Sequence, residues 1–136
     1  MLNDKIANAK RRDIHDRIYK LALETLDVVK KVPKSIENIV LVRQLVRSAT
    51  SVGANALEAD GSETRKEFIH RFAIAKKEAK ESYYWFSLLG DHNPELKEVL
   101  EPLRKENNEI ILIISKIIIN TKSNTRKVKD NNNNAE

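Results

Sequence analysis

Glu67 and His70 stand three residues apart in the stretch Glu67-Phe68-Ile69-His70. On a helix that spacing brings a carboxylate and an imidazole to one face, the donors that some bundles offer to a pair of iron ions. Such a centre needs two of these motifs and two further glutamates. This chain has one motif, placed off the apolar line through Phe68 and Phe72, and it has no cysteine to supply a thiolate. No metal and no cofactor are expected.

A second chemistry is that of unmatched positive charge. Lys10, Arg11, Arg12 and Arg17 cluster near the start of the first helical segment, and Lys66, Lys76, Lys77 and Lys80 line the polar side of the third. The net charge of +5 is concentrated at the ends, with +4 in residues 1–34 and +2 from Lys122 onward. Ammonium and guanidinium groups arranged this way take phosphates, with affinity that is salt-dependent and largely blind to sequence. Tyr83 and Tyr84 offer rings for base stacking, against the plainer reading that they pack. The rival reading of the charge is a solvated surface with lysine-rich termini.

A third set interrupts the apolar rhythm of residues 43–61: Arg47, Ser48, Ser51, Gly53, Asn55 and Glu58. Glycine costs a helix interior about 1 kcal/mol relative to alanine. Ala49, Gly53 and Ala56 fall on one line, which lets a neighbouring helix come close. Ser48, Asn55 and Arg47 are expected to form a polar network that fixes register. Glu78 and Glu81 lie among apolar neighbours on the third segment, and Arg47 is expected to pair with one of them, since a guanidinium fork suits a carboxylate.

Four helical segments position these groups. The first runs from about Asp13 to Lys31 and ends at Val32-Pro33, because the residue before proline is pushed out of the helical region. Ser35 is the expected cap of the second, which continues to about Ala59. Ser62 is the expected cap of the third, which ends near Leu89. Asn93 and Pro94 start the fourth, which Pro102 should kink or restart and which ends near Thr121. The expected organisation is a basic extension over residues 1–12, a bundle over 13–121 and a disordered polar tail over 122–136. The fold class is all-α, an antiparallel up-down-up-down four-helix bundle. Two apolar lines on the second helix, and isoleucine at 110, 111, 113, 114, 117, 118 and 119, exceed what one core needs and imply a homo-oligomer. The longest apolar run is far short of the roughly 20 residues that cross a bilayer. No secretory signal is evident, and the lack of cysteine fits the cytoplasm.

The run Gln44-Leu45-Val46-Arg47-Ser48-Ala49-Thr50-Ser51-Val52-Gly53-Ala54-Asn55, then Glu58-Ala59, resembles the bacterial four helix bundle proteins encoded by intervening sequences in 23S ribosomal RNA genes. The likeness continues through Ser62, Lys66, Phe68, Ile69, Ala75, Glu78-Ala79, Glu81, Tyr84-Trp85 and Leu88-Leu89. It implies a ring-shaped assembly, typically a homopentamer, without established enzymatic activity. Related bundles serve as accessory subunits of a reverse transcriptase in diversity-generating retroelements and bind nucleic acid through a basic surface. The partners implied are RNA or DNA, beside a reverse transcriptase or a ribosomal component, with the motif residues Arg47, Ser48, Ser51, Asn55, Glu58, Glu78 and Glu81 in structural roles.

Arg65 and His70 also form an Arg-x4-His, similar to the motif of HEPN ribonucleases. There a histidine moves the proton of a ribose 2′-hydroxyl and an arginine stabilises the phosphorane. Lys66 occupies a position where asparagine, aspartate or histidine is usual, which counts against this reading. The expected function is therefore a non-enzymatic oligomeric scaffold that binds nucleic acid. The alternatives are a protein-binding adaptor and, behind it, a metal-independent ribonuclease.

Overall fold

The structure, a computed structural model, describes the backbone of residues 2–135 and the side chains of Lys5, Ile6 and residues 13–135. Helices α1 (Leu2–Val29), α2 (Ile36–Asp60), α3 (Arg65–His92) and α4 (Lys97–Asn133) follow one another, with a 3-10 turn at Pro94–Leu96. Among the described residues there is no strand. Each helix packs on the next and α4 closes the square against α1, while the diagonal pairs meet only through side chains in the core, as the rings of His15 of α1 and Phe72 of α3 do at 6.3 Å. This is the antiparallel up-down-up-down four-helix bundle.

The interior is the set of lines that the spacing marks. Ile14, Ile18, Leu21 and Val28 of α1 meet Leu45, Val52, Ala56 and Ala59 of α2. Phe68, Phe72, Ala75, Ala79, Phe86 and Leu89 of α3 meet Leu100, Leu103, Ile110 and Ile114 of α4. Gly53 marks the closest approach of α1: a Cβ there would lie 3.3 Å from Cγ2 of Ile18. Ala75 and Ala79 are likewise fully buried, so small residues set the helix spacing on both sides of the core. Six of the seven isoleucines of α4 are buried or half-buried, leaving Ile119 exposed. The surplus apolar surface lies instead in a groove between α1 and α2, where Tyr19, Leu23, Leu26 and Leu57 are exposed.

The helix ends depart from expectation in instructive ways. Ser35 caps α2, accepting from the Asn38 N–H at 3.2 Å. Thr64 rather than Ser62 caps α3, accepting from the Glu67 N–H at 3.1 Å. Gly90 does not stop α3, which continues to His92, and Pro102 lies inside an unbroken α4. Proline forfeits one backbone bond there, but it is exposed, so water reaches the freed carbonyl. The largest departures are at the chain ends. α1 begins at Leu2 rather than near Asp13, and α4 runs to Asn133 where a disordered tail was expected. Apolar periodicity reports packing, and residues 122–133 carry almost none. Neither end contains glycine or proline, so nothing stops a helix already nucleated by the bundle. Among the described residues no helix is long and apolar enough to cross a membrane.

Candidate nucleic-acid interface

α3 presents charge in two directions. Toward α2, Arg47 of that helix and Arg71 of α3 both meet carboxylates. Arg47 donates from Nη1 to Glu78 at 3.2 Å and from Nη2 to Glu81, so it takes both expected carboxylates rather than one. Arg71 pairs with Glu58 at 2.8 Å. The hydrogen bond from Arg47 is the main cause that holds the Glu81 carboxyl below its ordinary value, with burial opposing it. The same contact raises Arg47.

Beneath this seam lie buried polar contacts. The hydroxyls of Ser48 and Ser82 hydrogen-bond to each other at 2.8 Å. Asn55 does not join them: it donates to the Ser51 carbonyl at 2.9 Å, within α2. The expected network of Arg47, Ser48 and Asn55 is thus three separate contacts. Consecutive positions on a helix diverge by about 100°, so the exposed Arg47 points away from the buried Ser48.

Two stronger interior contacts were not foreseen. Asn38 and Asn93 exchange amide hydrogen bonds at 2.8 and 2.9 Å, and their remaining N–H groups reach the carbonyls of Pro33 at 3.0 Å and Leu89 at 2.9 Å. Asn93 is therefore a tie between the α1–α2 and α3–α4 connections and makes no side-chain cap for the turn at Pro94. Asn107 donates to the Ala79 carbonyl at 2.8 Å, fixing the register of α4 on α3. Its place in the line Leu103-Asn107-Ile110 was the available signal.

The outward side of α3 is built differently. Lys66, Lys77 and Lys80 are exposed and Lys76 is half-buried. None of the four has a carboxylate within 4 Å among the described residues, whereas Arg17, Arg47, Arg71, Lys97 and Arg104 each have one. At 100° per residue, Lys66, His70, Lys77, Lys80 and Tyr84 fall within about 40° of one line, roughly 27 Å long. Tyr84 is 58% exposed and stands edge-on to Trp85 at 5.0 Å. Tyr83 is also exposed but turns toward α4, with the Arg104 guanidinium 5.1 Å from its ring centroid.

The other sequence candidates divide. Arg17 joins α1 to α4 through Glu106, a hydrogen bond that raises its pKa and neutralises it as a phosphate ligand. Lys10, Arg11 and Arg12 lie on the backbone of α1, with side chains outside the described residues. Arg65 and His70 are both exposed and about 140° apart around α3, so on one chain they do not converge. Glu67 accepts from the Glu63 N–H at 3.4 Å, and among the described residues no three His, Asp or Glu side chains gather as a metal site.

An all-α bundle with matched charges inside its helix seams and unmatched lysines on one outer face defines a class of helical scaffold. The chain belongs to the 23S rRNA-intervening sequence protein family, whose model matches residues 10–116. It is also similar to a crystal structure from Bacteroides thetaiotaomicron, a protein of unknown function from the S23 ribosomal protein family. The two are 31% identical with a TM-score of 0.74, over 80% of this chain and 97% of that one. No curated protein matches the chain.

Proposed function

We propose that this protein is a non-catalytic scaffold that binds RNA along the outer face of α3. The observation that carries the reading is the set Lys66, Lys76, Lys77 and Lys80, without carboxylate partners among the described residues, on a helix whose α2 side pairs Arg47 and Arg71 with glutamates. An ammonium without a partner loses nothing by taking a phosphate, whereas Arg47 or Arg17 would first have to surrender a carboxylate. RNA is favoured over DNA by the family to which the chain belongs. The test is a gel shift with structured RNA and sequence-matched DNA at two salt concentrations, with the recovered RNA run on a denaturing gel. A salt-sensitive shift with intact RNA is the expected outcome. No shift at low salt overturns the reading in favour of a protein-binding adaptor. Cleavage that is lost on His70→Ala makes the protein a ribonuclease.

We also infer that the scaffold is a homo-oligomer, a ring of five on the resemblance described above. Tyr19, Leu23, Leu26 and Leu57 leave an apolar groove uncovered on α1 and α2, and a second copy would bury it. In a ring the α3 lysines repeat with the symmetry and multiply the phosphate contacts of one chain. Light scattering on the wild type and on Leu57→Glu reads this directly. A multimer that the substitution reduces to monomer is expected, and a monomeric wild type overturns it.

A further inference from the structure

α4 continues past the point where the rest of the bundle stops. Arg17 of α1 meets Glu106 of α4, so the first helical residue, Leu2, lies level with Thr121. Ala79 of α3 meets Asn107, so Arg65, where α3 begins, is also level with Thr121. Arg65, Thr121 and Asn124 indeed line one shallow depression at this end. Residues 122–133 therefore overhang both neighbours as a helix about 18 Å long. All of them are exposed except Thr125, which is half-buried.

The overhang carries Lys122, Arg126, Lys127 and Lys129 against a single acidic residue, Asp130, and none of the four cations has an ion-pair partner among the described residues. Their placement is not uniform around the helix. Arg104 faces α3, donating to Tyr83 at 3.2 Å and to Ser87 at 3.2 Å. Five turns later Lys122 returns to that direction, and Arg126 and Lys129 fall within about 40° of it, whereas Lys127 lies some 140° away. The stripe Lys122-Arg126-Lys129 thus points over the α3 end of the bundle, beside Arg65 and Lys66. The family match ends at residue 116, so this arm lies beyond the matched part of the chain.

We propose that the overhanging end of α4 is an arm that holds the phosphate backbone of an RNA duplex against the Arg65 and Lys66 end of α3. The proposal rests on the RNA-binding reading of α3 and extends it to a second line of cations on α4. A duplex is the occupant because the arm offers a straight row of charge and no aromatic ring. Single strands are held largely by bases stacked on aromatic side chains.

The experiment is fluorescence anisotropy of the full chain with an RNA duplex of two helical turns, across a salt series, comparing Arg126→Glu with Lys127→Glu. Both change the net charge equally at exposed positions of the overhang, so folding is not at issue. Arg126→Glu is expected to weaken binding about tenfold and to flatten the salt dependence, and Lys127→Glu to weaken it by less than about threefold. Equal losses overturn the stripe. Deletion of residues 122–136 is expected to lower the slope of log affinity against log salt by about two to three, and an unchanged slope overturns the arm while leaving the α3 reading intact. The corresponding single strand is expected to bind more weakly, and equal or tighter binding overturns the duplex assignment. A wild type that binds neither the RNA duplex nor the single strand at low salt overturns the α3 reading, and the arm with it.

Discussion

The two sides of α3 carry charge of opposite meaning. On the α2 side, Arg47 is shared between Glu78 and Glu81 while Arg71 meets Glu58, and the serine pair lies below them. On the outer side, Lys66, Lys77 and Lys80 stand along the same helix with nothing opposite them. One set is spent on holding two helices in register and the other is available to a ligand. Charge density alone does not separate them, because both sides are rich in ionisable groups. Pairing does, and pairing is a property of the neighbouring helix.

That contrast can be broken or sharpened by substitution, beginning in the shared core. Phe72→Ala empties a fully buried ring site between the two faces and is expected to cost about 3–5 kcal/mol in denaturant unfolding. RNA affinity per folded molecule should hardly change, since no lysine is moved. Asn38→Ala leaves Asn93 buried with its Oδ1 and one N–H unmatched, and a loss of about 1–3 kcal/mol is expected by the same measurement. A neutral result would mean that the reciprocal amide pair contributes no more than its replacement.

Smaller effects belong to the charged seam. Arg47→Ala is expected to cost about 1 kcal/mol, since the pair is partly open to solvent. The sign of its pH dependence follows from Glu81, whose carboxyl is held low in the folded protein. The stabilisation is fully present above the ordinary carboxylate value of about 4.5 and is lost as pH falls through the lower folded value. The difference in Tm between wild type and Arg47→Ala should therefore be largest at neutral pH and shrink in acid. A difference that grows in acid would remove the ion pair from the account. Smallest of all, Lys77→Ala should leave stability within about 0.5 kcal/mol of wild type, because the ammonium touches nothing that folding uses.

Much of this was readable in the sequence, for reasons that differ by residue. The core lines were legible because burial repeats with the helix, as Ile14, Ile18 and Leu21 or Phe68, Phe72 and Ala75 show. Gly53 was legible as a close approach because small residues recur in line with it. The pairing of Arg47 with α3 was legible as a buried-charge problem, but not its sharing between two carboxylates, which depends on the side-chain register of α2 and α3. The Asn38–Asn93 tie was not legible, since asparagine near a proline reads equally well as a cap. The helical arm was not legible because a polar, patternless segment gives no packing signal, although nothing in its composition prevents α4 from propagating through it. Of the basic candidates, sequence could group Arg17 with Lys66 and Lys77, and only the position of Glu106 separates them.

The central claim is that unpaired lysines on the outer face of α3, and not the paired arginines of its seams, bind RNA. Its most direct test is the slope of log affinity against log salt for wild type and for the triple variant Lys66→Ala, Lys77→Ala, Lys80→Ala. A slope reduced by about two to three with an unchanged Tm is predicted. An unchanged slope, with RNA still bound, would contradict the account and move the interface off α3.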